Sequence, residues 1–339
     1  AIFPNNAGHT NPNTFNRIWS LFHWADKIRK ACPDIISGHD LTGLAIGWIS
    51  TWFTPENKKA RLVYDSHEFE IGRNAKRSKL EKVLVMRLEK TLIKKCAFSI
   101  MVNESIANEV KNRYKLDVRP LVVRSTPELW HIDDLEKSQI RATFDDYFGS
   151  NKTVLMYHGA ITNGRGIERL IKSLAKCDSS IVLVLLGNAQ SKKYMESLHR
   201  MVEEHTLEKR VLFISAVPIE HLKNYIAAAD VEMMIIEPIT ESYYYALPNK
   251  LFESIQAKTP IIASDLPEIT KIVNQYNIGI ICESLEEASI VDAIQRMVND
   301  QANFERYKDN MGIAKYELCW ENEKKALQKA YAQIMNDQI

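Results

Sequence analysis

The sequence predicts an α/β protein made of two parallel-sheet units joined by a charged linker. Short apolar runs of four to six residues alternate with longer amphipathic segments along most of the chain. Several runs, Ile181–Leu186 among them, are apolar at every position, as strands covered on both faces are. The alternation pauses over 126–152, where charge, Pro and Gly mix, and then restarts.

Taken in order, 13–32 reads as a helix with Phe15, Ile18, Trp19, Phe22 and Ile28 apolar. A buried strand over 33–37 ends at Gly38-His39-Asp40, and an apolar helix covers 41–52. The strand at 61–65 runs into Ser66-His67-Glu68-Phe69-Glu70. A helix over 80–95 and strands over 97–102 and 121–124 complete the first unit. Beyond the linker, a strand at 153–157 passes through a glycine turn into a helix over 166–176. Strands follow at 181–186, 211–214, 231–236, 260–264 and 279–282, with helices between them. Residues 313–333 read as one closing helix bearing Trp320, Leu327 and Tyr331. The chain thus divides into 1–140, 141–312 and 313–339.

Composition narrows the function classes. A net charge of +1 argues against nucleic-acid binding by bulk charge. The five cysteines are scattered with no CxxC pair, which points to a reducing, cytoplasmic compartment and away from a zinc or disulfide framework. No run of about 18 apolar residues is present, so no membrane span is expected. Residues 1–14 are polar and Asn-rich, unlike a signal peptide.

The stretch 241–265, ESYYYALPNKLFESIQAKTPIIASD, carries the clearest chemistry. Pro248 suits a first helical position, because its missing N–H costs nothing there. Asn249, Lys250 and Glu253 share a helix face at spacings of three and four, while Leu251 and Ile255 turn inward. A helix N-terminus with a lysine in its first turn is an anion site suited to phosphate. A carboxylate one turn on can accept two hydrogen bonds from a ribose diol. The alternative is a Lys250–Glu253 surface pair on a solvated face.

His158-Gly159-Ala160-Ile161-Thr162-Asn163-Gly164-Arg165-Gly166 links a strand to a helix. Glycines there let backbone N–H groups approach an anion, and Arg165 can pair with phosphate bidentately. Gly159 and Gly164 have phosphate-loop spacing, but Arg165-Gly166 stands where Lys-(Ser/Thr) would hold Mg²⁺. A tight turn with a solvated Arg is the plainer alternative. Asp65-Ser66-His67-Glu68 falls at the carboxyl end of a strand, where open α/β sheets place ligands. There His67 either works on a ligand, with Glu68 or Glu70 holding its ring, or ties down the strand end.

PNKLFESIQAKTPIIASDLPEI resembles the nucleotide-sugar segment of GT-B glycosyltransferases of family 4, and the resemblance runs from about 33 to 331. It implies two Rossmann-like domains facing across a cleft, with a C-terminal helix crossing back to the first. It implies transfer from a nucleotide-diphosphate sugar, UDP favoured over GDP, to a glycan or lipid-linked acceptor. Retention, independence of metal and a place in bacterial surface polysaccharide assembly come with it. It assigns catalysis to His67, Arg165 and Lys250, and donor binding to Gly159, Val217, Glu241, Asn249, Leu251 and Glu253. The sequence departs from the family where Tyr245 replaces the first of two donor glutamates, with Glu241 the nearest substitute, and where Ala160 replaces the usual Arg. Members usually have a strand and a Gly-rich turn before 33–40, whereas only about thirty residues without a strand pattern precede it here. A truncated or reduced first domain is therefore expected. A non-catalytic nucleotide-sugar-binding subunit and a sugar-nucleotide epimerase are the rival readings.

Residues 73–95 hold nine basic residues against two acidic, with Leu80, Leu84, Leu88 and Leu92 repeating at four. Either this is a core-packed helix with a wet basic face, or it docks on an anionic membrane at the inner face of the plasma membrane. No Asp-x-Asp and no His/Cys cluster stands out in the sequence, so no metal ligands are assigned.

Overall fold

A computed structural model describes residues 14–72 and 77–336. The expected fold class is borne out: two separate parallel sheets, each wrapped by helices. The first holds β1 (Ile35–His39), β2 (Arg61–Ser66), β3 (Cys96–Met101) and β4 (Leu121–Val122), in that order. One face packs Leu62, Tyr64 and Met101 against Leu44, Leu92 and Val110 from the surrounding helices. The second sheet contains β5 (Thr153–His158), β6 (Ile181–Leu186), β7 (Val211–Ile214), β8 (Val231–Met234), β9 (Ile261–Ser264) and β10 (Gly279–Cys282). Their order is β10-β9-β8-β5-β6-β7. Strand alternation sends Leu155 and Tyr157 into one core and Val154 and Met156 into another, which is why residues 154–157 and all of β6 are apolar at every position.

This order places a switch point between β5 and β8, since chain succession runs outward from there in both directions. Open parallel sheets leave a crevice beyond the carboxyl ends of the strands at such a point. Two glycine turns keep it open. Gly187, after β6, sits so close to Gly159 that a Cβ would lie 1.8 Å from the Gly159 carbonyl oxygen. Gly166 caps helix Ile167–Leu174 with φ 70°, and a Cβ there would lie 2.0 Å from the Ile235 carbonyl oxygen.

Two expectations are corrected. The span read as a linker contains helix Asp134–Phe148, which runs across the expected 140/141 division. Its buried Ile140, Phe144 and Phe148 repeat at four and pack against Ile226 and Val154, so this segment belongs to the second unit. The closing segment is two helices, Gln301–Glu317 and Trp320–Asn336, broken at the buried Leu318 and Cys319. The last helix returns to the first sheet, where Ile334 packs on Val63 and Ile100. Glu323 accepts from the Arg124 backbone N–H at 2.9 Å and pairs with its guanidinium. Among the described residues, no helix is long and apolar enough to cross a membrane.

Candidate active site

A cleft of about 780 Å³ opens between the two sheets at the switch point. His67, Val102 and Ile106 reach it from the first unit; Arg165, Lys250 and Glu253 are among those reaching it from the second. Two hydrogen bonds tie the walls together, one to the loop after β8 and one to the helix after β9. Asn103 Nδ2 donates to the Tyr245 carbonyl at 2.7 Å, and the Ser105 N–H donates to Glu268 Oε1 at 2.8 Å. Tyr245 also meets Phe69 edge to face at 5.9 Å.

Helix Asn249–Ala257 points its N-terminus into this cleft behind Pro248, with no side chain capping it. Lys250 follows in its first turn. The side chain is buried, and its Nζ lies 3.5 Å from the centre of the Tyr157 ring with no hydrogen-bond partner among the described residues. The aromatic face stabilises the ammonium by its quadrupole but supplies no acceptor. Burial pulls its pKa down to about 7, with Glu232 opposing and Arg165 adding to the fall. Arg165 stacks over Tyr243 at 4.9 Å and forms no ion pair with a carboxylate among the described residues. Lys250 thus lies beside Gly159, its Nζ 3.9 Å from where a Cβ would stand, and Arg165 and the helix N-terminus line the same cleft.

Behind the cations lies a buried acid–base group. His158, the last residue of β5, places Nε2 2.9 Å from Glu253 Oε2 and Nδ1 3.0 Å from Glu232 Oε1. Burial alone would lower its pKa, but the Glu232 charge and the contacts with both carboxylates outweigh that and raise it to about 9. A protonated His158 therefore fixes the Glu253 side chain in place at the cleft wall. Neither His158 nor Glu232 was assigned a role by the sequence. A histidine directly before the glycine turn was a usable sign, whereas a Glu inside Val-Glu-Met-Met reads as an ordinary strand residue.

The other expected residues divide. Val217 and Asn249 line the cleft, and the turn before Val217 is fixed by Ala216 N–H donating to Asn188 Oδ1 at 3.1 Å. Leu251 does not reach the cleft: its side chain is fully buried in the core and its N–H bonds the Pro248 carbonyl. Glu241 turns away, with Oε2 3.6 Å from Arg113 of the first unit. It starts a short helix, Glu241–Tyr244, pressed on the Glu70–Gly72 turn, and this packing directs it outward. His67 is at the cleft, but its ring faces His39 at 3.0 Å and Asp65 at 3.8 Å, while Glu70 pairs with Arg77 at 2.7 Å. The sequence assigned no metal ligands; the pairing of β1 with β2 brings His39, Asp65 and His67 together, with one ligand atom of each within 4.8 Å of the others.

In the basic segment, residues 73–76 lie outside the described residues. Helix Lys79–Ile93 buries Glu89, Leu92 and Ile93, and Glu89 accepts from the Tyr64 and Tyr114 hydroxyls. Leu80, Val83, Leu84 and Leu88 are exposed, Leu80 by 69%. Only the end of the leucine stripe is core.

A family model described as glycosyl transferases group 1 matches residues 141–316. Alpha-D-kanosaminyltransferase of Streptomyces kanamyceticus is 20% identical over 237 residues, covering 68% of this chain. The chain spans 59% of that relative's length. Among solved structures, Anabaena HepE in complex with UDP and glucose has a TM-score of 0.75 at 15% identity, covering 96% of this chain and 84% of that one. Sucrose-phosphate synthase of Thermosynechococcus elongatus has a TM-score of 0.77 at 18% identity, covering 98% and 82%. At these identities the structural likeness is one of fold.

Proposed function

The chain belongs to the group 1 glycosyl transferases, and from that premise we propose that it moves a sugar from a nucleotide-diphosphate sugar to a glycan or lipid-linked acceptor. The observation that carries this reading is Lys250: a buried ammonium at a helix N-terminus, facing the cleft and left without an acceptor among the described residues. A diphosphate supplies the missing acceptor. Arg165 takes a second phosphate oxygen and the Asn249–Ala257 N-terminus faces the same charge. Glu253, held by His158, takes the ribose hydroxyls, and the turn at Val217 faces the base. UDP is the favoured nucleotide, in keeping with the UDP complex of Anabaena HepE.

In the reaction, the bond from the anomeric carbon to the β-phosphate oxygen breaks and the acceptor oxygen takes its place on the same face. The proton of the acceptor hydroxyl passes to the leaving phosphate, which gives retention, as family 4 members do. Arg165, Lys250 and the helix N-terminus stabilise the charge that develops on the leaving group, so no metal is required at the diphosphate. His67 stands on the opposite wall and orients the incoming hydroxyl. The exposed leucines and flanking lysines of helix Lys79–Ile93 would hold this wall against an anionic membrane, the cytoplasmic face in bacterial surface polysaccharide assembly.

A panel of UDP-, GDP- and ADP-sugars tests the donor by thermal stabilisation, and turnover is followed with and without EDTA. No stabilisation by any nucleotide sugar refutes the donor site; loss of turnover on chelation refutes the metal-free diphosphate. The outward turn of Glu241 and the Tyr245 substitution favour one rival, a nucleotide-sugar-binding subunit without turnover. Donor stabilisation with no product from any acceptor would select it.

A further inference from the structure

We propose that His39, Asp65 and His67 form a binding site for one divalent transition-metal ion of the Zn²⁺ class, at the edge of the first sheet. In the parallel pairing of β1 with β2, His39 stands directly opposite Asp65. His67 follows two positions later, just past the strand end. The register therefore brings two imidazoles and a carboxylate to one corner.

Three atoms define the site. His39 Nδ1 is 3.0 Å from His67 Nε2 and 3.3 Å from Asp65 Oδ2; His67 Nε2 is 3.8 Å from that same oxygen. The centre of this triangle lies about 2.0 Å from each corner, which is the usual length of a Zn–N or Zn–O bond. The rings do not stack: their centroids are 5.2 Å apart at 79°, so they approach through their nitrogens. The loop bearing the third ligand is fixed from behind, where the His67 backbone N–H donates to Asp40 Oδ1 at 3.2 Å.

Hydrogen bonds within the group serve only two of its three atoms at a time and leave the third to water. A proton on His39 Nδ1 can go to His67 or to Asp65, and one of them then lacks a donor from the ring. A proton on His67 Nε2 leaves the same deficit at the carboxylate. Charging both rings sets two cations 3.0 Å apart. One ion satisfies all three lone pairs. Two imidazoles with a carboxylate suit zinc and its neighbours, whereas Mg²⁺ and Ca²⁺ prefer all-oxygen sets. The side chains of His39 and His67 are more than half exposed, so an ion enters from solvent and keeps a water in its fourth place.

An ion here occupies the Nε2 lone pair that His67 would offer an acceptor hydroxyl, so metal binding opposes transfer. That consequence rests on the acceptor role proposed for His67; the binding does not.

The test uses the full chain freed of metal. Zinc chloride is titrated by calorimetry, and Co²⁺ is followed by visible absorption. One equivalent should bind, with the Co²⁺ spectrum of a four-coordinate site and no thiolate charge-transfer band. His39→Ala and Asp65→Asn should each weaken Zn²⁺ by about 10–100-fold or more. Cys32→Ser removes the exposed thiol and should bind as wild type does. In the unsubstituted protein, Zn²⁺ should shift the ring proton resonances of His39 and His67, a reading that needs no variant. Absence of stoichiometric binding, a thiolate band, or unchanged affinity in both ligand variants overturns the proposal. Turnover separates the two readings: stoichiometric Zn²⁺ binding without inhibition supports the site and refutes the acceptor role of His67.

Discussion

Replacing Lys250 by Met keeps most of the side-chain volume and removes the ammonium, and it should separate stability from function in opposite directions. In the free protein, burial holds the Lys250 pKa near 7, against 10.5 in the unfolded chain. Between those values the unfolded chain binds more protons, so wild-type stability rises with pH across this window. Below pH 7 lysine is charged in both states and burying the charge costs roughly a few kcal/mol. Lys250→Met should therefore melt higher than wild type, by most below pH 7, with the gain fading towards 10.5. UDP affinity should move the other way. A charge-assisted hydrogen bond to phosphate contributes about 1.5–3 kcal/mol, so the variant should bind UDP roughly 10–150-fold more weakly. Binding a diphosphate also re-protonates Lys250, and wild-type affinity should fall by up to about tenfold per pH unit above 7. Calorimetry between pH 7 and 8.5 stays below the His158 value of about 9, so that group remains charged. Unchanged UDP affinity in the variant, or a wild-type affinity flat across this range, would refute the anion site.

Arg165→Ala should weaken UDP by about tenfold or more while leaving uridine nearly untouched, because its charge acts on phosphate; calorimetry with both ligands decides it. Glu253→Ala should weaken uridine and UDP alike, by about ten- to a hundredfold, and equal uridine affinity would remove Glu253 from the ribose. His67→Ala should cut turnover by about 10²–10⁴ with UDP affinity and melting temperature unchanged, since the ring is exposed. Normal turnover would leave it a strand-end residue. Helix Lys79–Ile93 should bind anionic vesicles with an affinity that falls steeply with salt, and Leu84→Glu should abolish binding. Equal partitioning to neutral vesicles would contradict the charge-led docking.

The sequence made most strands visible because those of the second sheet are covered on both faces and read as largely apolar runs. Lys250 and Glu253 were visible because helical spacing puts them on one face and Pro248 marks where that face begins. Asp65 and His67 could be placed at a strand end for the same local reason. His39 could not be joined to them, since its proximity depends on the register of β1 against β2, which no local pattern encodes. Glu232 was hidden in the same way: its partner His158 is 74 positions away. Helix Asp134–Phe148 was missed because Ile140, Phe144 and Phe148 are thinly spaced among charges, and a single buried stripe is all this helix needs. The outward turn of Glu241 reflects contacts with Arg113 and the Glu70–Gly72 turn, both from the other unit.

The return of the last helix to the first sheet also bears on the order in which the protein is made. Val63 and Ile100 are buried in a small cluster with Ile334, and Arg61 donates to the Ile334 carbonyl across 273 positions. During synthesis Val63 and Ile100 leave the ribosome long before helix Trp320–Asn336, which brings Leu327, Tyr331 and Ile334 onto that face. At about 5–20 residues per second, the delay is on the order of tens of seconds. For that interval an apolar sheet face is open to other chains or to chaperones. Release of a chain ending before Trp320 would make the exposure permanent, so shortened products should aggregate through the first unit even though the second can close its own cores.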